Sequence, residues 1–210
     1  MKAFIFDLDG VLVHTDCYHY LAWKKISDKL GICFNEQMNS RLRGVSRMES
    51  LEIVLETYQG PAISLEDKEE LAREKNEYYK EYLLGMTAAD VEKPVRETLE
   101  ILKKNNYKLA IGSSSKNARY ILEKVELLNY FDAVSDGTII NNSKPNPEVF
   151  LKAAYLLNVR PSECAVVEDA CSGIDAAKAA DMVAIAIGDA KRYGKADIKI
   201  NSIEELQRLI

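Results

Sequence analysis

Cysteine is scarce in this chain, and so is any excess of positive charge or any long apolar run. The four cysteines, Cys17, Cys33, Cys164 and Cys171, form no C-x-x-C pair and no spacing typical of a disulfide framework. Four structural thiols in a reducing cytoplasm are therefore expected. Lys and Arg number 28 against 33 Asp and Glu, a net charge of −5. That balance disfavours a nucleic-acid partner, which asks for a basic face. It leaves a small phosphorylated partner open, because a few local cations suffice. No apolar stretch approaches the roughly 20 residues of a membrane helix, so no membrane partner is expected. The N-terminus carries one Lys and a short strand-like run broken by Asp7, unlike a signal peptide. There are no internal repeats and no low-complexity segments. What remains is an ordinary globular composition, 47% hydrophobic and 29% charged over 210 residues. That length suffices for one good-sized domain or two smaller ones with real cores.

The stretch on which the rest depends is Phe4-Ile5-Phe6-Asp7-Leu8-Asp9-Gly10. The apolar run Ala3 to Phe6 predicts a buried strand. Two carboxylates follow two residues apart, then a glycine where the chain must turn. Side chains alternate along a strand, so Asp7 and Asp9 face one small volume at its end. Like charges there are unfavourable unless a cation or a shared proton intervenes. The pair is either the start of a polar loop or a metal site, an acid/base pair, or both.

The next stretch reads as helical and strand-free from about residue 14 to 86. A helix is predicted over Tyr18 to Leu30, with Leu21, Trp23, Ile26 and Leu30 as its apolar stripe and Gly31 as its end. Arg41 to Arg47 is a compact basic turn in an acidic chain, and Met48 to Thr57 reads as a second helix. Ser64 to Asp67 resembles a capping box opening a long polar helix to about Leu84. From about Lys93 the pattern changes to strands alternating with helices: strands at 107–112, 133–134, 164–167 and 183–187, helices at 94–105, 117–127, up to 157, and about 173–180. Such alternation means right-handed βαβ units and a parallel sheet. The first strand belongs to that sheet although the helical block separates it from the rest. The expected organisation is an α/β core of residues 1–14 and 87–210 with a helical cap, residues 15–86, inserted after the first strand.

Three groups follow core strands and should converge on the carboxyl edge of the sheet, where open α/β sheets bind ligands. The first is Asp7 with Asp9. The second is Ser113 to Lys116, hydroxyls and backbone N–H groups before a helix, which serve either as a cap or as a phosphate site. The third is Glu168-Asp169, which complements a helix dipole or, with Asp7, offers hard oxygen ligands of the kind Mg²⁺ prefers. Lys144, followed by Pro145, adds a cation beside a rigid turn.

Hydrophobic-D-x-D, a Ser after a strand, Lys-Pro and Glu-Asp, in that order, resemble the motif set of the haloacid dehalogenase superfamily of phosphoryl-transfer enzymes. The likeness covers the core from end to end. It implies a Rossmann-like α/β fold, a parallel sheet with an inserted α-helical cap. It further implies Asp7 as nucleophile and Asp9 as general acid/base, with Mg²⁺ held by Asp7, the Asp9 carbonyl, Glu168 and Asp169. Ser113, Ser114 and Lys144 would hold the transferring phosphate. A dehalogenase proper lacks the second Asp, so Asp9 points to phosphoryl transfer.

Tyr18-His19-Tyr20 to Trp23, the loop Arg43-Gly44-Val45-Ser46-Arg47, and Ser115-Lys116-Asn117 in the core resemble the phosphomutase branch of that superfamily. The resemblance implies that Gly44, Val45, Ser46 and Arg47, with Ser115, Lys116 and Asn117, bind a distal phosphate. Thr15, His19, Trp23 and Lys75 would stand at the cap and hinge. Their plainer readings are a surface histidine, core packing for Trp23 and, favoured for Lys75, a solvated helix face. The implied reaction interconverts β-D-glucose 1-phosphate and D-glucose 6-phosphate through β-glucose 1,6-bisphosphate, in a cytoplasmic monomer whose only partner is a sugar phosphate. The main rival is a sugar-phosphate phosphatase of the same superfamily. A phosphonate hydrolase would need a Schiff-base lysine, for which only Lys75 offers itself, and a non-enzymatic scaffold has no use for a full set of acid, base and cation positions. Two departures from the family pattern stand out. His14 occupies the place of a usual hinge aspartate, with Asp16 two positions on, and Pro94-Val95 replaces a Pro-Gly.

Overall fold

The computed structural model describes residues 1–210. Six strands, β1 (Ala3–Phe6), β2 (Lys108–Gly112), β3 (Ala133–Ser135), β4 (Cys164–Glu168), β5 (Val183–Ala186) and β6 (Ile198–Lys199), form one sheet in the order β3-β2-β1-β4-β5-β6. Every pair is parallel. In chain order β1 is followed by β2 and β3 on one side, then by β4, β5 and β6 on the other. The order therefore reverses at β1, and the crevice beside it lies at the carboxyl ends of β1 and β4. This is the α/β parallel-sheet fold expected.

The four side chains of β1 are all buried because both faces of the sheet are covered. Phe4 and Phe6 point to one face, against Leu99 and Leu102 of α5 (Lys93–Lys104) and Ile121 of α6 (Ala118–Lys124). Ala3 and Ile5 point to the other, against Phe150 of α7 (Glu148–Leu157) and Ile174 of α8 (Cys171–Ala179). Four further helices precede α5: α1 (Asp16–Lys29), α2 (Glu36–Ser40), α3 (Arg47–Leu55) and α4 (Leu65–Leu83). They contain no strand and enclose a separate apolar cluster built on Trp23, Ile26, Phe34, Leu51, Val54 and Leu71.

Several local expectations change. α1 buries Trp23 and Ile26 as the stripe predicts, but Leu21 is exposed and Ala22 is buried in its place, because α4 packs on that side. The short α2 and the two-residue β6 escape sequence patterning, since neither is long enough to show a period. Residues 203–209 form a 3₁₀ tail whose Ile203 and Leu206 close the core below α5. The capping box lies at Ser46 and Glu49, where side chain and backbone bond reciprocally. Ser64 also caps a helix, accepting from the Asp67 N–H, but without the reciprocal bond. Only Cys164 is a buried thiol; Cys17, Cys33 and Cys171 are exposed, on helix and loop positions that face solvent.

Candidate active site

β1 ends where Asp7 begins. The Asp7 N–H donates to the Val167 carbonyl (3.0 Å), so Asp7 and Glu168 leave adjacent parallel strands side by side. Gly10 turns the chain with φ +84°, and a Cβ there would strike the Asp169 carboxylate. Gly173, one turn into α8, likewise leaves room for the Glu168 carboxylate. Ligand oxygens of Asp7, Glu168 and Asp169 lie within 4.8 Å of one another. Lys144, fully buried, reaches the cluster from the loop before α7 and donates to Asp7 and to Glu168 (2.5 Å).

Burial pushes Asp7 up to about 7, Lys144 opposing it and Glu168 and Asp9 adding to it. Burial, then Glu168 and Asp7, push Asp169 up to about 8. Asp9 is raised to about 6, again by burial, with the Thr15 hydroxyl restraining it. Burial would lower Lys144, but Asp7 and Glu168 outweigh it and the amine is held charged. A single ammonium against three crowded carboxylates leaves uncompensated negative charge. That excess, and an all-oxygen donor set from two strand ends, fit a hard divalent cation such as Mg²⁺. The Asp9 carboxylate stands outside the cluster, accepting from Thr15. Thr15 thus supplies a hinge hydrogen bond, while His14 is exposed, 3.9 Å from Glu92.

A cavity of about 400 Å³ opens between this edge and the helical segment. Every residue given a catalytic or binding role from the sequence lines it except Thr15 and Lys144, which stand behind Asp9 and Asp7. On the core side, Ser113 is buried and its Oγ accepts from the Ser115 N–H (3.2 Å), while Ser115 Oγ accepts from the Asn117 N–H (3.2 Å). The Ser114 hydroxyl donates across the seam to the Gly44 carbonyl (3.1 Å). On the helical side, Arg47 opens α3 and its Nη2 donates to Asn76 Oδ1 (2.7 Å). Arg43 pairs with Asp16 (2.6 Å) and with Asp189 of the core (2.9 Å).

Lys75 is not on a solvated face. It is 2% exposed, its Nζ 2.8 Å from His19 Nδ1 and 5.1 Å from the centre of the Trp23 ring. The His19 ring stacks on Tyr79 at 4.1 Å between centroids. Burial, then Lys75 and Arg47, depress His19 well below its ordinary value. Burial and Arg47 depress Lys75 as well, Asp9 opposing them. A neutral imidazole accepting at Nδ1 presents Nε2–H as a donor. Asn76, Tyr79 and Asp16 also line the cavity and were not anticipated. Asn76 is the neighbour of Lys75 on α4, but an asparagine within a polar helix carries no sequence signal of its own.

Residues 1–181 match the haloacid dehalogenase-like hydrolase family. The chain belongs to that family. Within it, the chain is 40% identical to the β-phosphoglucomutase of Bacillus subtilis (strain 168), over 98% of this chain and 92% of the relative. It is 35% identical to a phosphorylated carbohydrates phosphatase of Thermotoga maritima, over 86% of this chain and 82% of that one. The crystal structure of β-phosphoglucomutase from Clostridium difficile superposes with a TM-score of 0.93 at 40% identity, covering 98% of this chain and 93% of that chain. The resemblance drawn from the motifs to this family and to its phosphomutase branch is therefore sound, as is the enzyme class it implied. No helix is long and apolar enough to cross a membrane.

Proposed function

We propose that this family member is a Mg²⁺-dependent phosphomutase that interconverts β-D-glucose 1-phosphate and D-glucose 6-phosphate through β-glucose 1,6-bisphosphate. One observation carries the reading: a single cavity is lined both by the acidic cluster and Ser113, with Lys144 behind Asp7, and by Arg47, Lys116 and Asn117. A phosphatase needs one phosphate site; a bisphosphate intermediate needs two.

Mg²⁺, held by Asp7, Glu168 and Asp169 with the Asp9 carbonyl, would offset the charge of the transferring phosphoryl group. Asp7 attacks phosphorus through a carboxylate oxygen and the bond to the sugar oxygen breaks, leaving an aspartyl phosphate. Asp9, protonated, gives its proton to the departing oxygen. Its carboxyl at about 6 is within reach of both protonation states near neutrality, as a general acid/base requires. Thr15 fixes its orientation. In the second half the 6-hydroxyl of an incoming β-glucose 1-phosphate attacks the aspartyl phosphorus, the bond to the Asp7 oxygen breaks, Asp9 takes up the hydroxyl proton, and the β-glucose 1,6-bisphosphate so formed re-phosphorylates Asp7 through its other phosphate. Ser113 and Lys144 grip the transferring phosphate, and Lys144 steadies the charge that grows there. His19 and Lys75, with Trp23, face the sugar side.

Residues 15–86 act as the cap over a core of 1–14 and 87–210. Distal phosphate draws the cap shut, and closure excludes the water that would hydrolyse the aspartyl phosphate. We place the protein in the cytoplasm as a monomer whose partner is the sugar phosphate alone. The test supplies β-glucose 1-phosphate, Mg²⁺ and a trace of the 1,6-bisphosphate and follows glucose 6-phosphate and free phosphate together. Rapid glucose 6-phosphate with little free phosphate is expected; free phosphate alone would make the chain a sugar-phosphate phosphatase.

A further inference from the structure

Two of the side chains assigned above to the distal phosphate meet at one atom. Arg47 Nη2, from the start of α3, donates to Asn76 Oδ1 at 2.7 Å, and Asn117 Nδ2, from the core loop before α6, donates to the same oxygen at 2.9 Å. Asn76 is itself buried, on α4. Three elements, two from the helical segment and one from the core, are thus gathered on a single amide oxygen. The orientation of that amide is fixed by its partners: turned over, its NH₂ would face two donors.

The chemistry of the acceptor matters. An arginine has five N–H donors, and Asn76 occupies one, leaving the remainder of the fork for a ligand. A neutral amide oxygen holds the guanidinium without cancelling its charge, whereas a carboxylate in its place would pair with Arg47 and compete with an incoming phosphate. Arg47 is otherwise a long, rotamer-rich side chain that a dianion would have to order on arrival. Because Asn117 comes from the core, the same oxygen is shared only when the two sides of the seam are together.

We propose that Asn76 is a positioning residue for the distal phosphate: its amide oxygen pre-orders Arg47 and Asn117 across the seam and thereby sets the affinity for substrates bearing a phosphate at that end. This rests on the two-phosphate reading given above. Asn76 touches neither the reacting atoms nor the acidic cluster, so it acts through Arg47 and Asn117.

The test is a double-mutant cycle in the coupled assay, with Asn76→Ala, Asn76→Asp, Arg47→Ala and the pair Arg47→Ala/Asn76→Ala. Loss of a hydrogen bond to a charged group predicts that Asn76→Ala raises KM for β-glucose 1-phosphate about tenfold or more, with a much smaller change in kcat. The near-isosteric Asn76→Asp, which keeps the shape of the site, should raise KM further and weaken inhibition by inorganic phosphate. The losses in Arg47→Ala/Asn76→Ala should be clearly less than additive, because without Arg47 only the Asn117 contact is left for Asn76 to hold. A merely structural role would instead give additive losses, and that result overturns the proposal. So does an unchanged KM in Asn76→Asp while Arg47→Ala cripples isomerisation; the two-phosphate reading then survives without Asn76. If Arg47→Ala itself leaves isomerisation intact, that reading fails and the proposal with it.

Discussion

At the scale of single residues, the site separates groups that do chemistry from groups that hold charge. Asp7 is the nucleophile proposed above, with Asp169 crowded by the same carboxylates and Asp9 turned toward Thr15. Asp7→Asn should abolish all turnover, of sugar phosphates and of p-nitrophenyl phosphate alike; measurable residual turnover would move the nucleophile elsewhere. Arg47 is tied to Asn76 and not to the acidic cluster, and its loss should fall far more heavily on isomerisation than on hydrolysis of a monoester with no second phosphate. Loss of a charge-assisted bond of about 1.5–3 kcal/mol predicts a fall of roughly ten- to a hundredfold in kcat/KM for isomerisation. Equal losses in both assays would remove the two-site idea. The sequence motifs carried these two residues plainly. They did not carry the fate of Lys75, because whether a lysine on a polar helix meets water or a histidine depends on the neighbouring helix.

At the scale of elements, the carboxyl edge of β1 and β4 concentrates charge that the fold must tolerate. Asp7 and Asp169 titrate as a unit, with values raised from 3.8 to about 7 and about 8. A carboxyl whose pKa is higher in the folded chain than in the unfolded one favours folding only while protonated. Stability without metal should therefore fall as pH rises from about 4 to about 8. Mg²⁺ competes with those protons and binds the ionised cluster, so the gain in Tm on adding it should be larger at pH 8 than at pH 5. Calorimetry at both pH values, with and without Mg²⁺, checks this, and an equal gain would place the cation elsewhere. The strand beneath the cluster is ordinary core. Ile5 is wholly buried between α7 and α8, and Ile5→Ala should lower stability by about 2–5 kcal/mol in urea denaturation.

At the scale of the whole molecule, the helical segment shares an apolar junction with the core through Ala22, Tyr79 and Leu83, and meets it across the cavity through polar contacts. Ser114 donates to the Gly44 carbonyl, Ser172 to the Arg43 carbonyl (3.4 Å), and Arg43 reaches Asp189. Polar contacts of this kind part more readily than apolar packing, which suits the proposed closing of the helical segment over the cavity. Arg43 is the one side chain that spans the hinge residue Asp16 and the core residue Asp189 together. Both pairs are solvent-screened, so Arg43→Ala should change Tm little, within about 0.2–1 kcal/mol per pair. Its expected effect is on closure: more free phosphate released per glucose 6-phosphate formed. An unchanged ratio in the coupled assay would show that the latch has no part in excluding water.

The sequence by itself determined the parallel α/β core, the helical insertion after β1, and the order of Asp7/Asp9, Ser113, Lys144 and Glu168/Asp169. These are legible because they are local. A short continuous apolar run makes a strand buried on both faces, the residue after it stands at the sheet edge, and parallel strands bring such edges together whatever lies between. Only the tertiary structure decided that Lys75 is buried against His19, that Asn76 joins Arg47 to Asn117, and that Leu21 faces water in place of Ala22. The packing of α1, α3 and α4 over the edge sets these, and a helix's own pattern does not say which neighbour will cover which face.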